Sequence, residues 1–257
     1  MRIFVLGAGR MGAWLTEALC LNHEVAVCDT DRRKLRNLSG VKRLLELSNV
    51  KSFQPELMIN AVTLSHMKKA FSEVFPFLQD HCILSDIASV KTGVHELYQK
   101  MGRRFVSTHP MFGPTFADIR NLHNENAIII KESDEDGKEF FRDFYRSFNV
   151  TTYEYTFEEH DKTIAYSLSI PFASSMVFAA CMKKQEAPGT TFRKHFDIAS
   201  RLLSEDDHLL AEVMFNPYTV NQISKISSRL AYLIHIIKAR DFEEMKDFLD
   251  KLRNNIG

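Results

Sequence analysis

Along roughly the first 150 residues, short apolar runs alternate with stretches whose apolar positions recur every three or four residues. Ile3–Leu6, Val25–Cys28, Leu57–Val62, Cys82–Asp86, Phe105–Ser107 and Ala127–Ile130 have the length and branched content of buried strands. Met11–Leu21, Met67–Phe75, Val90–Lys100 and Gly137–Phe148 carry the helical period between them. Strands and helices alternating at this spacing predict a mostly parallel, doubly wound sheet. Between Asp31 and Phe53 no run marks the third strand.

After Thr151–Tyr155 the pattern becomes helical throughout. Phe157–Lys184, Phe192–Leu203, Asp206–Phe215, Val220–Ala239 and Phe242–Arg253 are expected helices. Pro171 should kink the first of these, because it lacks a backbone donor and crowds the preceding turn. Pro188-Gly189 and Asn216-Pro217 mark turns. The expected fold is α/β, with an N-terminal doubly wound domain over residues 1–155 and an all-helical C-terminal domain over 156–257. The stripe Phe172, Met176, Phe178, Ala179 and Met182 is more apolar than one solvated face requires. It reads as core, either within the helical half or shared with a second copy of the chain, so a homodimer is expected.

Composition narrows the function classes. Lys plus Arg balance Asp plus Glu at 33 each, so no overall basic excess exists to hold a phosphate backbone, and nucleic acid is not the expected partner. Acidic ligands would have to be gripped by local charge. Cys20, Cys28, Cys82 and Cys181 are far apart, form no CxxC pair and sit in apolar runs, which fits reduced core thiols better than a disulfide framework or zinc site. The histidines likewise lack metal-ligand spacing. Ile3–Leu6 reaches a glycine too soon for a secretory signal. No uninterrupted apolar run reaches the roughly 18 residues of a membrane span. A soluble, cytoplasmic protein is expected.

Local chemistry begins at Gly7-Ala8-Gly9-Arg10-Met11-Gly12, a GxGxxG between the first strand and the first helix. Gly7 allows a sharp turn, Gly9 lets the backbone approach a pyrophosphate, and Gly12 lets the helix pack closely on the sheet. Phosphates would sit at the positive helix N-terminus, beside Arg10 and Met11. The second strand ends in Asp29, about 20 residues further on, where a carboxylate would bind a ribose 2′-hydroxyl. Together these predict a Rossmann domain that binds NAD. Asp29 would repel a 2′-phosphate, although Arg32 and Arg33 leave NADP as an alternative.

Ligands of such sheets bind beyond the carboxyl ends of the strands. Two segments fall there: Ser85-Asp86-Ile87-Ala88-Ser89-Val90-Lys91 and Ser107-Thr108-His109-Pro110-Met111-Phe112-Gly113-Pro114. His109, before a proline in what reads as a Gly/Pro-rich loop, suits proton transfer from a hydroxyl, since an unperturbed imidazole titrates near pH 6.5. Ser89 on the same rim would orient it. The plainer roles are a surface or capping histidine and, for Ser89, a helix N-cap.

DIASVK followed by THPMFGP, behind GxGxxG and ahead of a helical half, resembles the prephenate and arogenate dehydrogenases of tyrosine biosynthesis across nearly the whole chain. That resemblance implies NAD-dependent oxidative decarboxylation: hydride leaves the ring carbon bearing the 4-hydroxyl, His109 takes the hydroxyl proton, and CO2 departs as the ring becomes aromatic. Ser89 would hydrogen-bond His109. An arginine of the helical domain would hold the ring carboxylate; Arg193 in Thr190-Thr191-Phe192-Arg193 is the candidate, with Lys194 its rival and Arg201 two turns on. Some family members carry Ser-His-Leu-Pro-His where this chain has Ser167-Leu168-Ser169-Ile170-Pro171-Phe172, which leaves Ser169 as a candidate substrate contact and the substrate side chain unassigned. Prephenate and arogenate therefore both stand, with prephenate favoured only because it is commoner in the family. His160-Asp161 matches a family dipeptide and reads as a structural tether. Two other readings compete: a β-hydroxyacid-type or imine-reducing dehydrogenase using Lys162 or Lys183, and a non-catalytic NAD-binding module.

Overall fold

The computed structural model describes residues 1–113, 117–118, 121–183 and 185–257. Pro114, which closes the second chemistry-bearing segment, and Lys184, the expected end of the long helix, lie outside them. The first half follows the order β1 (Arg2–Leu6), α1 (Arg10–Leu19), β2 (Glu24–Cys28), β3 (Lys42–Arg43), α2 (Val50–Phe53), β4 (Leu57–Asn60), α3 (Leu64–Val74), β5 (Ile83–Asp86), α4 (Val94–Met101), β6 (Phe105–Pro110), β7 (Asn126–Ile130), α5 (Glu135–Ser147) and β8 (Thr151–Tyr155). The strands form one sheet in the order β3-β2-β1-β4-β5-β6-β7-β8. All pairings are parallel except β6 with β7.

Alternate residues of each strand face opposite layers, and both layers are apolar. Ile3, Val5, Val25, Val27, Ile59, Ala127 and Ile129 pack with α1 and α5 on one face. Phe4, Ala26, Met58, Leu84, Ile128 and Ile130 pack with α3 and α4 on the other. Burial on both faces explains why these strands read as continuous apolar runs rather than alternating ones.

Departures from the expected elements have local causes. The missing third strand is β3, two exposed cationic residues with no apolar signal, paired to Ala26 and Val27. β4 stops at Asn60 because its side chain accepts the Val62 N–H and donates to the Met67 carbonyl, turning the chain off the sheet. β6 runs on through Pro110, since β7 reverses direction and pairs Thr108 with Ile129 and His109 with Ile128. His109 thus stands on a strand, not in a loop. α4 starts at Val94, after an Ile87–Gly93 loop, so Ser89 is no helix cap.

The helical half comprises α6 (Phe157–Ser167), α7 (Ser169–Cys181), α8 (Thr190–Leu202), α9 (Asp207–Met214), α10 (Thr219–Ala239) and α11 (Phe242–Ile256). A capping box opens α6: Thr156 Oγ1 accepts the Glu159 N–H, and the Glu159 carboxylate accepts the Thr156 N–H. Instead of one kinked helix, Phe157–Cys181 is two, broken at Leu168. Pro171 lies in the first turn of α7, where its missing N–H costs nothing within the helix. Taken as one length, Phe157–Cys181 has the reach and apolar content of a membrane span, contrary to expectation. Here its first part is held to the sheet through buried His160 and Asp161.

Candidate functional site

The glycine turn has the form a dinucleotide needs. Gly7 adopts φ +105°, and a Cβ there would lie 3.0 Å from the Ala61 backbone. A Cβ on Gly12 would fall 2.0 Å from the Gly7 carbonyl oxygen, so the start of α1 can approach β1 only with glycine at that position. A Cβ on Gly9 would meet nothing within 4 Å; that position faces open space, as one beside a ligand should. Gly9 caps α1 without a side-chain acceptor, no acidic residue occupies the first turn, and the first intrahelical bond is Ala13 N–H to Gly9. The Met11 and Gly12 amides at the positive end of the helix form a cradle for pyrophosphate.

At the end of β2, Asp29 shapes this turn. Its two oxygens accept the Ala8 N–H at 2.7 Å and the Asp31 N–H at 2.7 Å. Each oxygen keeps a lone pair for a ribose hydroxyl. Arg33 is folded back on Asp31, whose carboxyl it draws down to about 2. Arg10 crosses to the helical half, donating to Glu205 at 3.1 Å and to the Ser204 carbonyl. The glycine turn and the segment between α8 and α9 are thereby tied across the crevice.

His109 stands on β6, separated from the glycine-bearing β1 by β4 and β5, and is only 4% exposed. Its Nδ1 lies 3.0 Å from Nε2 of His160, and Nδ1 of His160 lies 2.9 Å from Oδ1 of Asp161. Asp161 also accepts the Lys91 N–H at 2.7 Å and the Thr92 hydroxyl at 2.7 Å. Its backbone carbonyl accepts from Asn216. Behind this row sits a buried ion pair. Lys91 Nζ donates to Asp86 at 2.6 Å and to the Thr108 carbonyl at 2.8 Å, while Tyr98 donates to the other Asp86 oxygen. Asp86 and Lys91 of the DIASVK segment therefore act as the rigid floor under His109.

Burial is the main influence on these groups. It drives the His109 imidazole well below its usual value, with His160 and the Lys91 ammonium adding to the effect. Burial also lowers His160, more than its bond to Asp161 raises it. At Asp161 burial pushes the carboxyl upward, but the bonds from His160, Thr92 and the Lys91 amide outweigh it, and the group stays ionised near neutrality. Both imidazoles are neutral there.

Three sequence assignments change. Ser89 is half-buried on the rim after β5 but makes no hydrogen bond to His109 or to any other described residue; His160 holds the imidazole instead. Ser169 is fully buried, and its hydroxyl is engaged with Thr219 at 2.7 Å and the Val213 carbonyl, so it ties helices together rather than facing a substrate. His160-Asp161, read as a tether, does join the halves but also bonds directly to His109. Its only sequence signal was a dipeptide 51 residues from its partner. Arg193 is exposed on α8, its guanidinium 3.4 Å from Thr190 Oγ1, and nothing in a single chain brings it to His109. No cluster of three or more metal-ligating side chains occurs among the described residues.

Comparison with known proteins adds independent findings. The sequence profile described as prephenate dehydrogenase, nucleotide-binding domain, matches residues 15–152. A probable arogenate/prephenate dehydrogenase of Methanocaldococcus jannaschii is 22% identical over 217 residues, which is 79% of this chain and 48% of that protein. The chain thus spans about half the length of this curated relative. The crystal structure of Aquifex aeolicus prephenate dehydrogenase with hydroxyphenyl propionate and NAD+ superposes with a TM-score of 0.84 at 16% identity, covering 99% of this chain and 96% of that one. Synechocystis arogenate dehydrogenase gives 0.75 at 18% identity, covering 99% and 98%.

Proposed function

The chain belongs to the family of the prephenate dehydrogenase nucleotide-binding domain, and from that premise we propose that it is an NAD-dependent dehydrogenase that oxidatively decarboxylates prephenate to 4-hydroxyphenylpyruvate. The observation that carries the reading is the buried, neutral His109 on the same sheet rim as a glycine turn built for pyrophosphate. NAD, when bound, supplies a two-electron hydride acceptor. Gly7, Gly9 and Gly12 would hold its phosphates with the Met11 amide and with Arg10 beside them, and Asp29 would take the adenosine ribose. The Asp29 carboxylate favours NAD over NADP, because a 2′-phosphate would meet its charge.

The chain's own contribution is to orient and to move one proton. His109 Nε2 takes the 4-hydroxyl proton as hydride leaves that carbon, and the ring carboxylate departs as CO2. Electrons of the broken C–C bond complete the aromatic ring, and the proton returns to the phenolic oxygen. The dry setting of His109 strengthens each hydrogen bond that holds the hydroxyl.

Arogenate differs only in its side chain, and the lack of histidines at Ser169 and Phe172 gives no residue that selects between the two. The test is direct: NADH formation and the aromatic product are followed with NAD plus prephenate, then plus arogenate. Turnover of prephenate with loss of about 10²–10⁴-fold in His109→Asn is expected; full activity in that variant overturns the assigned base. Arg193→Ala should raise KM for prephenate without changing NAD affinity if a partner copy brings it into the crevice, and an unchanged KM removes it from the site.

A homodimer paired through residues 156–257 is part of the same proposal. Phe196, Ile198, Leu203, Phe215, Val220, Ile234 and Ile237 are exposed there, and an apolar depression is lined by Met214, Phe215, Val220 and Ile223. Exposed apolar surface of this extent favours an interface.

A further inference from the structure

We propose that His160 and Asp161 are positioning residues that fix the tautomer of His109, holding its proton on Nδ1 and leaving Nε2 as a bare acceptor. Both Asp161 oxygens already accept from the Lys91 amide and the Thr92 hydroxyl, and an ionised carboxylate has no proton to give. His160 Nδ1, 2.9 Å from Asp161 Oδ1, must therefore be the donor there. A neutral imidazole has one N–H, so His160 Nε2 is an acceptor. The His109 Nδ1 that lies 3.0 Å from it must then donate, and the second nitrogen of His109 carries the lone pair. A single carboxylate thus sets the protonation pattern of two rings.

The surroundings leave little room for another arrangement. The groups near the pair are Lys91 from the loop after β5, Asp86 from β5 and Asp161 from α6. Lys91 Nζ is committed to Asp86 and the Thr108 carbonyl, so it offers no donor that would reverse the row. Burial disfavours charge on either ring. When Nε2 gains a proton from a substrate hydroxyl, the new imidazolium is anchored through Nδ1–H to His160, and the Asp161 charge faces it one ring away. The arrangement performs the duty of the third member of a catalytic triad, with an extra ring inserted.

This inference rests on His109 being the proton acceptor, but its first test does not need turnover. Nitrogen shifts of ¹⁵N-histidine in the ligand-free protein should show His109 as the Nδ1–H tautomer. In Asp161→Asn the shifts should move toward a mixture of tautomers, and kcat should fall about 10²-fold with NAD affinity kept. His160→Leu should lose a similar factor. His160→Gln, whose amide oxygen can still accept from His109 Nδ1, should regain most of it while retaining the tautomer. A tether without influence on the proton would give equal behaviour in Leu and Gln variants. Unchanged His109 shifts in both Asp161→Asn and His160→Leu overturn the proposal. Should Asp161→Asn not fold, the Leu and Gln pair decides alone. If the wild-type protein oxidises neither prephenate nor arogenate, the substrate reading fails, while the nitrogen shifts still uphold or overturn the row.

Discussion

The two halves of this chain are built on different terms. In the sheet half, strands covered on both faces leave few large apolar side chains in solvent, chiefly Leu21, Leu45 and Tyr153. Its buried charges are paired, as in Asp86 with Lys91. In the helical half, α8, α10 and α11 bury few apolar residues, mainly Ala199, Leu202 and Ile236, and expose many. The sheet half buries its apolar faces within the single chain; the helical half leaves much of its apolar surface exposed. The contrast teaches where the chemistry can be placed accurately. His109, Lys91 and Asp86 stand on or beside strands whose neighbours fix them, whereas Arg193 rides on a helix whose outer surface faces solvent.

The largest effect should come from unpairing the buried charge. Lys91→Met leaves Asp86 without its ammonium in a water-free site and should cost about 3–5 kcal/mol, roughly 10 °C in Tm. A loss below about 1 kcal/mol, measured by denaturant titration, would show that the floor under His109 is not as dry as its burial indicates. Next is acid sensitivity. His109 and His160 are both lowered by burial, so below the ordinary imidazole value of about 6.5 the unfolded chain binds protons that the native chain refuses. Stability should therefore fall as pH drops from 7 toward 5, by about 1.4 kcal/mol per pH unit for each ring fully titrated in the unfolded state. The slope should shrink in His160→Gln; a flat profile in the wild type would contradict neutral burial. The smallest stability change belongs to the other half. Phe215→Glu, at a side chain 82% exposed, should alter the stability of the isolated chain by less than about 0.5 kcal/mol. It should nonetheless weaken self-association in sedimentation, and unchanged association would remove this face from the interface.

Much of the sheet was legible because a strand buried on both faces must be apolar throughout, and the glycine turn because only its spacing permits both the fold-back at Gly7 and the contact at Gly12. β3 was not, since two cationic residues carry no hydrophobic signal and owe their conformation to β2. The environment of His109 was half legible. Sequence identified the imidazole and the rim, but the direction of β7 was hidden, and with it the fact that His109 is held in a ladder. Ser89 was favoured as its partner because it lies on the adjacent loop. The true partner, His160, comes from a helix that begins after the sheet is finished, and no local pattern reports a contact of that sequence separation. Ser169 failed for the opposite reason: a serine at a helix start says nothing about which way its hydroxyl turns.

The joint between the halves has a mechanical consequence. One residue, Thr156, separates the last strand from α6, and His160 falls in the first turn beyond it. Any swing of the helices about that point resembles a lever moving on its fulcrum: displacement is least at His160 and grows along the chain toward α8. The imidazole row therefore lies where a displacement of the helices would disturb it least.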